Sequence, residues 1–386
     1  MSEFGAFYRG RRVLVTGDTG FKGSWLCLWL ARLGADVAGF ALPPPVDRPS
    51  NFVLSRVGSR IRHLDGDVRD PVQVARAVAG HDPEVVFHLA AQPLVRESLD
   101  RPLETFATNL MGTVHVLEAL RCSPAVRSVV IVTTDKVYQN QEWVWGYRET
   151  DALGGNDPYS ASKACAELAV AAYRHGLDTV WRGERTAALA TARAGNVIGG
   201  GDWSKDRLVP DIVRAVAAGR PLELRMAHAT RSWQHVLEPL SGYLLLGQRL
   251  AGGDCVHRSA WNFGPRQDRP VSVGQLARNI LARWDREDLL PSAPTQATAQ
   301  LGETSRLELN ADKASYLLDW RPVWDLDTMV QATADWYAAH LACPEREMEE
   351  TTVGQIEQYV RRATELGLPW ASGAPSRTRD QLTEPQ

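Results

Sequence analysis

Short, almost entirely apolar runs alternate with stretches of helical periodicity along the first half of the chain. The runs are rich in β-branched side chains and are bounded by turn residues, which is typical of strands. Continuous apolar strands are buried on both faces, as in a parallel sheet covered by helices. The predicted strands are 12–16, 37–40, 61–64, 85–89, 129–132 and 189–193.

The alternation predicts an α/β fold up to Gly195, with a Rossmann-type doubly wound parallel sheet over residues 8–194. Beyond this point, glycines and prolines break the chain into shorter pieces. We expect a smaller C-terminal α/β substrate-binding domain over 195–370, with some later segments returning to the first domain. The polar, aperiodic residues 371–386 predict a disordered tail. Helices are expected to begin at Pro158 and to cover 273–285, 311–318 and 327–342.

The composition is that of a globular protein and excludes several classes of function. Of 386 residues, 44% are hydrophobic and 23% are charged, which is ordinary for a soluble chain. A net charge of -3 without any basic block argues against nucleic acid as a partner, and no apolar run is long enough to span a membrane. The five cysteines are scattered with no CxxC pair, so we expect no metal site, no disulfide framework and a cytoplasmic protein.

Lysine is scarce: only five of the 43 lysine and arginine residues are lysines. A guanidinium stays charged and forked, whereas a lysine offers a compact ammonium whose pKa can be tuned. A chain that uses arginine almost everywhere else is expected to keep lysine where chemistry needs it. Lys136 and Lys163 end short polar runs and are the first candidates.

A glycine-rich turn follows the first strand and opens a helix, with the sequence TGDTGFKG at 16–23. Such glycines let the backbone approach a pyrophosphate that rests on the helix N-terminus. The second strand ends in Phe40-Ala41 rather than in the acidic residue that holds an adenosine ribose, so the choice between NAD and NADP stays open. The expected dinucleotide contacts are Gly17, Thr19, Gly20, Phe21, Lys22, Gly23, Asp67, Val68, Leu89, Ala90, Ala91, Tyr159 and Lys163.

Tyr159 and Lys163 are four residues apart, so they share one face of the predicted helix. A neighbouring ammonium lowers the pKa of a phenol, and we expect this effect on Tyr159. With a hydroxyl such as that of Thr134, the pair would form an acid/base group for a sugar alcohol. The alternative is a solvated helix face without a role in catalysis.

With these motifs, the sequence resembles the extended short-chain dehydrogenase/reductase superfamily and, within it, the nucleotide-sugar 4,6-dehydratases. The resemblance extends to about Trp370. It implies bound NAD, hydride transfer from C4 of a hexose, loss of water across C5 and C6, and return of the hydride to C6. The matching segments are TGDTGFKGSWL, TTDKVYQNQEWVWGYRETDALGGNDPYSASKACAEL, ARAGNVIGGGDWSKDRLVPDIVRA, RSWQHVLEPLSGYL and WNFGP.

The resemblance implies catalytic roles for Thr134, Tyr159 and Lys163 at the hydroxyl, and for Asp135 as the acid that protonates the departing 6-hydroxyl. Lys136 stands where dTDP-glucose enzymes have glutamate, which resembles the CDP-glucose branch and makes CDP-glucose the implied substrate. Two roles stay open for Lys136: a neutral base at C5, or a cation that stabilises the enolate.

The second half of the chain is expected to bind the nucleotide sugar. Arg231 resembles the family's phosphate-gripping arginine, for which a forked guanidinium is suited. It is followed by serine where the family more often has proline, and Arg225-Met226-Ala227 departs from Arg-Asn-Pro, so the base and the sugar stay open. His235 is either a ligand or a structural histidine. The expected substrate contacts are Gln92, Asn196, Arg207, Arg231 and His235.

Two other functions compete with dehydration. The first is another nucleotide-sugar enzyme on the same fold, such as a 4-epimerase or a dehydratase for a different nucleotide or sugar. The second is a cofactor-sensing binding protein without activity, which the presence of both Tyr159 and Lys163 disfavours. The Asp135-Lys136 pair favours a dehydratase, because a simple epimerase needs no acid/base pair at C5 and C6. The resemblance also implies a homodimer or dimer of dimers through helices at about 102–121 and 159–174.

Overall fold

The computed structural model describes residues 3–179, 187–224, 226–266, 270–291 and 305–372. Its centre is a seven-stranded sheet in which every neighbouring pair is parallel. This confirms the predicted Rossmann-type fold class. The strands, in spatial order, are β10 (Ala260–Phe263), β6 (Ala188–Ala194), β5 (Ser128–Val132), β4 (Val85–His88), β1 (Arg12–Thr16), β2 (Asp36–Ala41) and β3 (Arg62–Asp65).

The inner strands are buried on both faces because their side chains alternate between two separate apolar clusters, whereas the edge strand β3 is partly exposed. Val13 and Val15 of β1 belong to the larger cluster, whereas Leu14 belongs to the smaller one. The same alternation places Val130 and Ile131 of β5 on opposite faces. Two-sided burial explains why these strands read as continuous apolar runs in the sequence.

Helices cover both faces of the sheet. A π-helical turn at Ala107–Met111 joins α5 to α6, so the long helix expected at about 102–121 is present. The α-helices are α1 (Phe21–Arg32), α2 (Asn51–Leu54), α3 (Pro71–His81), α4 (Val95–Asp100), α5 (Pro102–Phe106), α6 (Gly112–Arg121), α7 (Pro158–Thr179), α8 (Leu208–Ala218), α9 (Leu237–Ala251), α10 (Val273–Ala282), α11 (Asp312–Leu317), α12 (Leu326–Ala342), α13 (Glu349–Glu365) and α14 (Pro369–Ser372).

The second half of the chain is more helical than the sequence analysis predicts: α8, α9 and α13 were not expected. Pro210 and Pro239, interpreted as breaks, lie in the first turns of α8 and α9, where a missing N–H costs no helical hydrogen bond. The helix α9 also lacks a polar face, since nearly all of its side chains are buried. A helix that is buried all round gives little amphipathic signal, and in α9 even the polar side chains of Glu238 and Ser241 are buried.

Part of the second half returns to the large sheet, as expected. The helix α9 packs against β4, β5 and β6, and β10 extends the sheet beside β6. The division at residue 195 itself stays a prediction. The remaining strands form two small sheets: β7 (Val197–Ile198) with β9 (Gln234–His235), and β8 (Thr230–Arg231) between β11 (Val271–Ser272) and β12 (Arg306–Leu307).

The described chain ends in ordered structure rather than in a tail that starts at 371. Trp370 is buried in α14 and stacks on Phe4 at 5.1 Å between ring centroids. Residues 373–386, which carry the rest of the predicted tail, lie outside the described residues. No helix in the described ranges is long and apolar enough to cross a membrane. The same ranges contain no cluster of three or more histidine, cysteine, aspartate or glutamate residues that could bind a metal ion.

Candidate active site

A cleft of about 1250 Å3 runs along the carboxyl ends of the central strands, between the large sheet and the second half of the chain. In an open parallel sheet this edge is where ligands bind. Except for His235, every expected site residue lines the cleft: Gly17, Thr19, Gly20, Phe21, Lys22, Gly23, Asp67, Val68, Leu89, Ala90, Ala91, Gln92, Thr134, Asp135, Lys136, Tyr159, Lys163, Asn196, Arg207 and Arg231.

The glycine-rich turn between β1 and α1 is shaped for close backbone approach. Gly17 has a φ of 78°, and a Cβ there would lie 2.7 Å from the backbone nitrogen of Ala90. A Cβ on Gly23 would lie 2.0 Å from the Gly17 carbonyl oxygen. The helix α1 begins after Gly20, which has no side chain to cap the first N–H groups. These groups are therefore available to a pyrophosphate.

A buried carboxyl group that the sequence analysis did not identify supports this turn. Asp18 is fully buried against Gly39 of β2, and a 2.6 Å hydrogen bond joins its Oδ2 to Nδ1 of His63. Burial raises the pKa of Asp18, and His63 opposes that rise. The contact depends on two neighbouring strands, so the spacing of these residues in the sequence gave no signal.

The expected acid/base group assembles where β5 ends. Tyr159 and Lys163 are both buried on the first turns of α7, and Thr134 directly follows β5. The expected decrease in the pKa of Tyr159 is wrong for this structure. Burial raises it to about 12, although a hydrogen bond with the Thr134 hydroxyl opposes the rise. Lys163 is not among the groups that shift the pKa of Tyr159, and its Nζ donates to the Val132 carbonyl at 3.0 Å.

Burial lowers the pKa of Lys163 to about 8, with Glu167 opposing. Glu167 lies one turn further along α7 and forms a buried ion pair with Arg193 of β6 at 2.9 Å. Burial alone would raise the pKa of Glu167, but Arg193, together with the hydroxyls of Thr133 and Thr191, lowers it below its ordinary value. This pair fixes α7, and with it the acid/base group, against the sheet.

The Asp135-Lys136 pair begins a short 3-10 turn next to Thr134. Asp135 is 1% exposed, and its Oδ1 accepts a hydrogen bond from the Thr134 hydroxyl at 3.0 Å. Its Oδ2 is buried and has no hydrogen-bond partner among the described residues. A buried oxygen without a partner is costly, and in a cleft it marks a position where a ligand would bind.

The part of the cleft that is lined by the second half of the chain has a comparable acceptor. The side-chain oxygen of Asn196 is buried and lacks a partner within the described ranges. Arg207 forms an ion pair with Asp202 at 2.9 Å, and this aspartate was missing from the sequence analysis. The amide of Gln92 bonds Thr105 and the Leu94 carbonyl, so it shapes the cleft wall.

His235 and Arg231 differ in their position relative to the cleft. His235 does not line the cleft: it is fully buried, and its ring lies 4.7 Å from that of Trp324 and 5.8 Å from that of Trp25. This burial favours a structural histidine over a substrate ligand. Burial lowers its pKa to about 3, which keeps the ring neutral. Arg231 lines the cleft and donates to the Thr230 carbonyl at 2.8 Å. Arg225 lies outside the described residues.

Sequence comparisons place the chain among nucleotide-sugar enzymes. A family model described as GDP-mannose 4,6 dehydratase matches residues 14–333. The CDP-glucose 4,6-dehydratase of Salmonella typhimurium is 43% identical over 351 residues, covering 89% of this chain and 97% of that protein. The dTDP-glucose 4,6-dehydratase of Xanthomonas campestris is 26% identical over 339 residues, covering 84% and 92%.

Solved structures share the fold. An epimerase of Methanothermobacter thermautotrophicus superposes with a TM-score of 0.72 at 23% identity, covering 88% of this chain and 95% of its own. A dTDP-glucose 4,6-dehydratase double mutant from Streptomyces venezuelae, solved with NAD bound, gives a TM-score of 0.71 at 24% identity, covering 85% and 97%.

Proposed function

We propose that this chain, which belongs to the GDP-mannose 4,6-dehydratase family, is an NAD-dependent hydro-lyase that converts CDP-glucose to CDP-4-keto-6-deoxyglucose. The nucleotide is proposed from relatedness. The chain is 43% identical to a CDP-glucose enzyme but only 26% identical to a dTDP-glucose enzyme. The observation that carries the reaction is the position of Asp135 and Lys136 in the same cleft as Tyr159 and Lys163.

The residues of the glycine-rich turn fit NAD, because only glycine at positions 17 and 23 leaves room for the tight turn from β1 into α1. Gly20 and Phe21 would hold the pyrophosphate, and Asp67 and Val68 would line the adenosine end of the cleft. When bound, NAD supplies the acceptor for the hydride of C4 and returns that hydride to C6, so no cofactor is consumed.

The first chemical step removes the C4 hydroxyl proton. Tyr159 accepts this proton as C4 becomes a ketone, and the Thr134 hydroxyl holds the reacting oxygen in place. Because burial disfavours the tyrosinate, the step needs positive charge near the phenol. Lys163, which lines the cleft one turn of α7 after Tyr159, would supply this charge.

The second step eliminates water. The C4 ketone acidifies the C5 proton; the C5–H and C6–O bonds break, and a C5–C6 double bond forms. Asp135 donates a proton to the departing 6-hydroxyl, and its partnerless Oδ2 is the oxygen available for this. Lys136 either takes the C5 proton as a neutral amine, or stabilises the enolate as a cation while solvent takes that proton. When the hydride returns to C6, a proton returns to C5, which completes the 4-keto-6-deoxy sugar.

The two roles of Lys136 are separable by Lys136→Arg, since arginine keeps the charge but is not a base at neutral pH. The measurement is exchange of the C5 proton with deuterated solvent, followed by NMR. Loss of exchange assigns Lys136 as the base, whereas retained exchange assigns it as the stabilising cation. Lys205→Arg, on the rim of the same cleft, is the matched control.

The proposed reaction is tested by incubating the purified protein with CDP-glucose, dTDP-glucose, UDP-glucose or GDP-glucose in turn. A 4-keto-6-deoxy sugar is detected by its alkali-induced absorbance and identified by mass spectrometry. We expect product from CDP-glucose at a kcat/KM at least about tenfold above the others, equivalent to about 1.4 kcal/mol of discrimination. Absence of product with all four sugars would reject the proposal and favour a 4-epimerase.

An isotope-transfer experiment distinguishes the internal redox cycle from other routes to the same product. With CDP-glucose deuterated at C4, the deuterium should appear at C6 of the product. A 4-epimerase would instead return the label to C4. Loss of the deuterium to solvent would contradict a cycle in which the same bound cofactor accepts the hydride from C4 and returns it to C6.

We further propose that the protein is a homodimer. The helices α4 to α7 pack side by side and carry exposed apolar side chains, of which Leu103 is 84% and Leu168 is 61% exposed. The double variant Leu103→Glu/Leu168→Glu, which places a charge at both positions, should have the mass of a monomer by light scattering. Val46→Glu, on a fully exposed loop, is the control. An unchanged mass would exclude this surface.

The proposed location is the cytoplasm. All five cysteines are free thiols in the structure, which suits a reducing compartment. Cell fractionation tests this, and recovery of the protein in an oxidising compartment would contradict it.

A further inference from the structure

Lys22 belongs to the glycine-rich segment and lies in the first turn of α1, but its side chain extends toward α9. Its Nζ lies 3.5 Å from the Tyr243 hydroxyl and 5.9 Å from the centre of that ring, and Tyr243 is a fully buried residue of α9. Asp135, Lys163 and Arg207 are near enough for their charges to act on the ammonium. Lys22 therefore reaches the same end of the cleft as the acid/base group.

The ammonium of Lys22 lacks a neutralising partner. Within the described ranges it forms no ion pair, whereas the neighbouring Arg207 is paired with Asp202. Burial, reinforced by Arg207 and Lys163 and opposed by Asp135, lowers the pKa of Lys22 to about 7. An unpaired lysine in a partly desolvated position is costly, which makes it a candidate for a functional group.

The direction of Lys22 identifies which part of a dinucleotide it would affect. The pyrophosphate site lies at the start of α1, and Asp67 and Val68 mark the adenosine end. The nicotinamide must reach Tyr159, where a sugar carbon is oxidised. Lys22 extends from the start of α1 toward Tyr243, which is itself close enough to Tyr159 for the charges of the two phenols to interact. The ammonium also interacts with the charge of Lys163, the partner of Tyr159 on α7.

We propose that Lys22 tunes the redox balance of the bound cofactor by placing a positive charge at the nicotinamide end of the cleft. This inference rests on the NAD site of the proposed function. Oxidised nicotinamide carries a positive charge and the reduced ring is neutral, so a nearby ammonium disfavours NAD+ relative to NADH. The charge therefore favours the state in which C4 is a ketone, from which water is eliminated.

The effect of Lys22 on the preference for NADH over NAD+ is measured with protein and cofactor, in the absence of the sugar. Full-length protein is equilibrated with mixtures of NAD+ and NADH, and the ratio retained on the protein is determined by chromatography. In Lys22→Met, which keeps the length but removes the charge, the preference for NADH over NAD+ should fall at least about tenfold. Lys22→Arg should retain the preference, and Lys313→Met, outside the cleft, should not change it.

The pH dependence is a second readout on the unmodified protein. Lys22 loses its charge as pH rises through about 7, so the preference for NADH should decrease between pH 6 and pH 8. The groups that face it are Tyr243 on α9, Tyr159 and Lys163 on α7, Asp135 after β5, and Arg207 before α8. In Lys22→Met this change with pH should be absent.

Three outcomes would overturn the inference. Equal weakening of NAD+ and NADH in Lys22→Met would mean that Lys22 only neutralises phosphate. Unchanged binding with a lower melting temperature would mean a structural role. If the preference of the unmodified protein for NADH over NAD+ does not change with pH, Lys22 does not tune the redox balance of the cofactor. This result does not depend on whether the variants fold. Because no sugar is present, each of these results leaves the dehydration test intact.

Discussion

Tyr159 is the residue on which the proposed oxidation of C4 depends most directly. Removing its hydroxyl in Tyr159→Phe keeps the ring and its packing but leaves no acceptor for the sugar's proton. We expect kcat to fall by about 10²–10⁴-fold, the usual contribution of a general acid or base. The measurement is steady-state formation of the 4-keto sugar.

Tyr173→Phe is the matched control, because it removes a hydroxyl from the same helix at a position outside the cleft, where the group bonds Glu118. Both variants should retain bound cofactor. A Tyr159→Phe enzyme with near-normal kcat would show that another group takes the proton.

At this scale, the sequence predicted what is local. Tyr159 and Lys163 share a helix face by their spacing alone, and both lie in the cleft. The direction of Lys22 could not be predicted, because it depends on Tyr243, which is 221 residues away in the chain. The raised pKa of Tyr159 could not be predicted for a similar reason. The motif shows the lysine that would lower this pKa, but the burial that raises it depends on the whole surrounding structure.

The junction of β1 and α1 is the element that tolerates least change. An alanine at Gly23 would place its Cβ 2.0 Å from a backbone oxygen of Gly17, and a backbone atom cannot move aside as a flexible side chain can. We expect Gly23→Ala to reduce the free energy of unfolding by about 1–3 kcal/mol and to weaken NAD binding. Urea unfolding and cofactor titration measure the two effects.

Gly80→Ala provides the comparison, since a Cβ at Gly80 in α3 meets nothing within 4 Å. This variant should be more stable than the parent by about 0.5–1 kcal/mol, because alanine loses less entropy in a helix. Equal behaviour of the two variants would show that the clash at Gly23 is relieved by movement of the turn.

For the elements, hydrophobic periodicity predicted those with a distinctive pattern. The six expected strands are present. Burial on both faces makes five of them continuous apolar runs, whereas β3, an edge strand with the sequence RHLD, is partly exposed. The helix α9 was missed for a related reason: it is buried all round, so it shows no polar side by which a helix of 3.6-residue period is identified.

At the scale of the whole molecule, Glu238 joins three distant segments. Its carboxylate accepts hydrogen bonds from the backbone nitrogens of Val323 and Trp324 and from the Tyr359 hydroxyl. Burial nevertheless raises the pKa of Glu238 from 4.5 to about 7. The folded protein therefore holds a proton that the unfolded chain has already released between these two pH values.

Stability should consequently fall as pH rises through this window, and Glu238→Gln, which stays neutral, should not share the loss. Relative to the parent, the variant should gain up to about 3 kcal/mol of unfolding free energy between pH 5 and pH 8. Urea unfolding at each pH gives the difference. Glu365→Gln, which changes an exposed ion pair, is the control. If the difference in unfolding free energy between Glu238→Gln and the parent does not change with pH, Glu238 is ionised in the folded protein.

The return of α9 and β10 to the large sheet has a consequence for how the protein is made. Residues 12–194 leave the ribosome first, yet their sheet lacks its edge strand and the cover over β4, β5 and β6 until residue 263 has been synthesised. At about 5–20 residues per second this delay lasts roughly 3–14 s. The apolar face stays open during that interval. We therefore expect residues 1–194, expressed alone, to aggregate rather than fold.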